Sequence, residues 1–178
     1  MAKSGQIIEN RVTGERVKYL KTAQDTDGTQ VVFEMWAPPN CFMPVRHIHL
    51  QQTEEIEVLS GVFKVECNGK VQHLQAGEKM LIPPKAPHQW WNESEDETVH
   101  TRFSLTPAYN FEVMQEQIFG IFNTKGKLSF LQIMVMAKEY DMIIAGPPIF
   151  LQKIMWFLLA PIGRLLGLKN YYPAFTKS

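Results

Sequence analysis

The chain has 178 residues, 45% of them apolar and 20% charged, which suits one globular domain with a short appendage and excludes a disordered segment. Eighteen Lys and Arg balance eighteen Asp and Glu, so there is no basic field to attract nucleic acid. Cys41 and Cys67 are too few for a disulfide framework, and the opening MAKSGQIIEN lacks the apolar run of a secretory leader, so a cytoplasmic protein is expected.

The neutral total conceals an asymmetry. Residues 1–110 hold 11 basic and 14 acidic side chains, residues 111–178 hold 7 and 4, and no acid follows Asp141. This shift divides the chain into a β-domain over 1–107, whose motifs occupy about 30–107, and a helical extension over 108–178.

In chain order, the β-domain reads as short apolar and β-branched runs punctuated by Thr13-Gly14-Glu15, Asp27-Gly28, Pro38-Pro39-Asn40, Asn68-Gly69, Ala76-Gly77 and Pro83-Pro84. Alternation in 54–59 puts Glu54, Ile56 and Val58 on one face. In 63–67 it groups Phe63, Val65 and Cys67, and in 99–105 Val99, Thr101, Phe103 and Leu105. Asn68-Gly69 between VFKVEC and KVQHLQ predicts a two-residue hairpin turn with positive φ at both positions. Strands at this spacing predict a sandwich or barrel.

Beyond Pro107 the period changes. Phe111, Met114 and Ile118 begin one helix, 128–141 hold a second, and a third is expected from Pro147-Pro148 to about Ala160, stopped by Pro161. The run IIAGPPIFLQKIMWFLLAPIGRLLGL is too interrupted by Lys153, Arg164 and prolines to span a bilayer. The favoured reading packs these helices on the barrel or on a second subunit, without a membrane. Surface association of the acid-free stretch 142–178 is the lesser alternative.

His47-Ile48-His49, Glu54 and His88 carry the chemistry. Two histidines at a spacing of two on a strand share a face, and Glu54 shares its own face with Ile56 and Val58. A carboxylate among apolar neighbours is costly unless it is paired or bound to metal. His88 follows Pro83-Pro84-Lys85-Ala86-Pro87, a stiff turn that would fix the direction of a third imidazole. Any one of these histidines alone reads as an ordinary polar residue. Together they form a mixed nitrogen and oxygen set suited to Fe, Mn, Ni, Cu or Zn.

The frame around them resembles the cupin superfamily of small β-barrels. The first family motif is Gly, five residues, His-x-His, three or four residues, Glu, six residues, Gly; CFMPVRHIHLQQTEEIEVLSG supplies His47, His49, Glu54 and Gly61. The second is Gly, five residues, Pro-x-Gly, two residues, His, three residues, Asn; GEKMLIPPKAPHQWWN supplies Gly77, Pro83, His88 and Asn92. Cys41 and Lys85 stand where the family has glycine, which touches loop geometry rather than the ligands. The resemblance implies a cupin (jelly-roll) barrel with one divalent transition metal on His47, His49, Glu54 and His88. It also implies a homodimer, since the superfamily commonly pairs its barrels and the apolar tail needs cover.

Inward residues that would shape a greasy pocket are Phe33, Met35, Phe63, Val65, Met80, Ile82 and Trp90, with Val32 and Trp36 as alternatives for the first two. The same residues would also serve simply to fill a small barrel. Of Trp90 and Trp91, one ring should point in and the other out. Arg46, Arg102 and His100 are the obvious partners for a substrate carboxylate, although alternation puts them on the outside. There is no Gly-rich phosphate loop, no Gly-x-Ser-x-Gly elbow and no Cys-x-x-Cys pair, and Cys41 and Cys67 read as inert.

The leading reading is a metalloenzyme acting on a small organic molecule by Lewis-acid or dioxygenase-type oxidoreductase chemistry, and no cofactor beyond the metal is expected. If it is quercetinase-like, the resemblance makes Glu54 both ligand and proton acceptor. The alternative is a non-catalytic module that holds a small effector, and the third reading joins a structural metal to a membrane-surface tail. The superfamily includes dioxygenases, isomerases, lyases, sugar binders and regulators, so the fold does not choose among them.

Overall fold

The computed structural model describes residues 2–137, 139–140 and 142–176; Lys138, Asp141 and Lys177, which enter the charge asymmetry, lie outside them. Ten strands come first: β1 (Ile7–Glu9), β2 (Arg16–Lys21), β3 (Val31–Ala37), β4 (His47–His49), β5 (Thr53–Ser60), β6 (Val62–Cys67), β7 (Lys70–Gln75), β8 (Lys79–Ile82), β9 (His88–Trp91) and β10 (Val99–Thr106). Then follow α1 (Phe111–Lys125), α2 (Phe130–Met136), β11 (Met142–Ile144) and α3 (Ile149–Leu165).

The strands form two antiparallel sheets, one in the order β1-β2-β3-β10-β5-β8 and the other β11-β4-β9-β6-β7. The expected alternation holds except at Cys67, which ends β6 only partly buried. Ile56 and Val58, Phe63 and Val65, and Val99, Thr101, Phe103 and Leu105 are all buried. Asn68 and Gly69 turn β6 into β7 with φ of 53° and 79°, both in the left-handed region that this turn requires. Phe33 stacks on Phe103 with ring centroids 5.2 Å apart, near the centre of the core.

Three features of the extension differ from expectation. The helix foreseen to stop before Pro161 runs through it to Leu165. Its last turn is docked, because Gly163 lies so close to α2 that an added Cβ would sit 2.5 Å from Val135 Cγ2, and this packing overrides the local preference of proline. The second helix is shorter than 128–141. It begins where the Ser129 side chain accepts from Gln132 N–H and ends at Met136. Residues 142–144, which the expected helices left unassigned, form β11, which pairs with β4 and covers the edge of a three-residue strand.

Helix α1 lies on the barrel through both kinds of side chain. Phe111 and Ile118 pack on the core and Met114 is buried, but so are Glu112, Glu116 and Gln117. Glu112 accepts from Ala23 N–H, Glu116 accepts from the Gln6 amide, and Asn123 bonds the backbone at Arg11 and Glu9. No described helix is long and apolar enough to cross a membrane.

Candidate metal centre

Strand alternation puts His47 and His49 inward and Ile48 outward. His88 begins β9 directly across from His47, with ring centroids 4.2 Å apart. Glu54 arrives from β5 in the other sheet, so the cluster ties three imidazoles of one sheet to a carboxylate of its neighbour. The loop before His88 is anchored where Lys85 N–H donates to the His49 carbonyl at 2.7 Å. Lys85 adopts φ 67°, the left-handed conformation that a glycine would take without strain. The turn is thus made despite the departure from the family motif. Asn92 closes the other end, its amide donating to the carbonyls of Ala37, Pro38 and Glu97.

All four side chains are buried, and one ligand atom from each lies within 4.8 Å of the others. Nδ1 of His47 faces the Val45 carbonyl at 3.1 Å, and Nδ1 of His88 faces the Ala86 carbonyl at 2.9 Å. A carbonyl only accepts, so each Nδ1 carries the proton and, in the neutral ring, Nε2 offers a lone pair. Nε2 of His49 is 3.2 Å from Glu54 Oε2. Nε2 of His88 has no hydrogen-bond partner, with Glu54 Oε2 3.6 Å away.

The electrostatics follow from burial. Burial, with His88 and His49 nearby, lowers the His47 pKa to about 3, so this ring is neutral at physiological pH. Burial alone would raise Glu54, but His49 and His88 outweigh it and hold the carboxylate ionised. Burial pulls His88 down, and the Glu54 charge more than restores it. A buried anion facing imidazole nitrogens, one of them unsatisfied, is a donor set that could hold a metal ion, and these residues fit one.

A cavity of about 10 Å³, room for about one water, touches the cluster at His49 and is bounded by Gln52, Tyr109, Asn110, Phe111, Met114 and Tyr140. Outside it lies an open cleft of about 540 Å³ that shares Tyr109, Asn110 and Tyr140 and adds Leu50, Gln51, Ile143 and Trp156. That volume is in the range of small-molecule sites. Sequence reasoning did not select these wall residues, because the loops after β4, β10 and α2 meet α1, β11 and α3 at the barrel mouth and no motif encodes that approach.

The residues expected to shape a pocket, Phe33, Met35, Phe63, Val65, Met80, Ile82 and Trp90, lie in the hydrophobic core cluster and line neither cavity. Phe33 does connect to the centre, since Phe111 stacks on it at 5.7 Å and lies 6.1 Å from the His49 ring. Trp90 points in, and Trp91 lies under the Lys64 ammonium. Arg46 pairs with Glu66, Arg102 with Glu34 and Glu57, and His100 stacks on Trp36, so these three sit with partners on the outer faces. Burial pushes the Cys41 thiol up to about 12 and raises Cys67 as well, which leaves little nucleophilic thiolate.

Comparison with known proteins agrees with the geometry. Residues 33–101 match the family model of the Cupin domain. The chain is similar to an RmlC-like cupin from Shewanella frigidimarina NCIMB 400, with 19% identity, 64% of this chain and 93% of that one covered, and a TM-score of 0.52. It is also similar to KdgF from Halomonas sp., with 13% identity, 60% and 92% covered, and a TM-score of 0.50. At these identities the likeness speaks for the fold. No curated protein matches the chain. With the family match running from β3 into β10, the chain carries a Cupin domain over residues 33–101, and its β-barrel has the cupin fold.

Proposed function

We propose that the protein is a metal-dependent enzyme acting on a small organic molecule. The observation that carries this reading is the buried cluster of His47, His49, Glu54 and His88 beside a cleft of small-molecule size. A divalent Fe, Mn, Ni, Cu or Zn held there would supply Lewis-acid or O₂-activating chemistry. The chain's own part is to hold His47 and His88 in one tautomer through the Val45 and Ala86 carbonyls and to exclude bulk water with Phe111 and Met114. Glu54, the single carboxylate of the cluster, would help hold the ion and would be the proton acceptor at Oε2.

The narrow inner cavity, with room for about one water, favours a second reading: a non-catalytic module whose cleft holds an effector.

The test is metal content by plasma mass spectrometry of untagged protein beside the His47→Ala/His49→Ala variant. Near-stoichiometric transition metal, lost in the variant, is the expected result. Metal-free protein after reconstitution overturns both the site and the chemistry. A small molecule that co-purifies with the metal-loaded protein and is never turned over decides for the effector module.

A further inference from the structure

Helix α3 is mounted with its apolar side outward. Gln152, Ala160 and Gly163 are its buried residues. The Gln152 amide donates to the carbonyls of Ile144 and Pro147 at 2.8 Å each, and Gly163 meets Val135 too closely to admit a side chain. These contacts set the rotation of the helix. On the other side Phe150, Ile154, Phe157, Leu158, Ile162 and Leu165 recur at helical spacing and are all exposed, Phe157 at 79% and Leu165 at 88%. So long an apolar stripe on an ordered helix calls for an occupant.

The charge around it identifies that occupant. Lys153 and Arg164 are exposed on the same helix and Lys169 lies just beyond it, while residues 142–178 contain no Asp or Glu. An isologous contact with a second copy would bring this carboxylate-free cationic helix against itself. An anionic bilayer surface satisfies both features, taking the apolar residues at the acyl boundary and the cations at the lipid phosphates. The helix is not of the kind that spans.

We propose that α3 lies flat on an anionic membrane surface, inserting Phe150, Ile154, Phe157, Leu158 and Leu165 while Lys153 and Arg164 meet headgroup phosphates. The experiment is flotation of the full chain with phosphatidylcholine vesicles, alone or mixed with phosphatidylglycerol. Beside the wild type run Phe157→Ser/Leu165→Ser and Lys153→Gln/Arg164→Gln, with circular dichroism verifying that both variants fold. The wild type is expected to float with the anionic vesicles and to be released by salt. The serine variant should lose about tenfold or more in partitioning. The glutamine variant should lose on the order of tenfold on anionic vesicles only. Absence of flotation, or equal flotation of folded variants and wild type, overturns the proposal. If vesicles capture nothing and sedimentation shows a dimer that the serine variant dissociates, the face belongs to a second copy instead.

Discussion

In the barrel, Phe33, Phe63, Trp90 and Phe103 are buried, while Glu34, Lys64 and Arg102 of the same strands face outward; in α3, Gln152 is buried and Phe157 stands in the open. The two regions are ordered by different forces. The barrel holds together by apolar burial between sheets. The extension is held in good part by glutamines that bond backbone. Gln117 binds Tyr172, Gln132 binds the Lys169 carbonyl, and Gln152 binds Ile144 and Pro147. Periodicity therefore says which residues share a face, but not which face turns inward. Inward-pointing glutamines leave the apolar side of α3 for another surface.

This contrast can be broken or sharpened by substitution. Phe33→Ala, at the Phe103–Phe33–Phe111 stack, should cost about 3–5 kcal/mol in denaturant unfolding. A loss under 1 kcal/mol would mean that the stack does not support the barrel. Gly163→Ala gains about 1 kcal/mol of helix propensity but forces a Cβ toward Val135, a cost of about 1–3 kcal/mol. The expected net result is looser docking, read as faster hydrogen exchange in α3 with the barrel unchanged. Slower exchange would mean that the helix has room and its orientation is not fixed by this contact. Lys85→Gly, relieving a left-handed lysine, should stabilise by up to about 1 kcal/mol and leave metal content intact. A lower melting temperature would show that the Lys85 side chain supports the loop.

Much of the site was legible because its signals are local. His47 and His49 share a face by strand geometry alone, and the spacing to Glu54 and His88 matched two cupin motifs, so the four residues that converge are the four expected. The walls of the inner cavity were not legible. Tyr109, Asn110, Phe111, Met114 and Tyr140 reach His49 only because a helix and a loop fold back over the barrel mouth. β11 was missed for a related reason. An apolar triplet gives no short-range preference between strand and helix, and the open edge of β4 decided it. Pro161 misled because local propensity names a stop, while docking at Gly163 carries the helix onward.

By itself the sequence determined the period of each strand, the hairpin at Asn68-Gly69 and the identity of the four clustered side chains, because each rests on residues a few positions apart or on a fixed spacing. Tertiary structure alone decided that the carboxylate and the imidazoles come from different sheets, that α1 covers the centre, and that α3 faces outward. Those outcomes depend on which distant backbone carbonyls and apolar faces meet, and no local pattern records that.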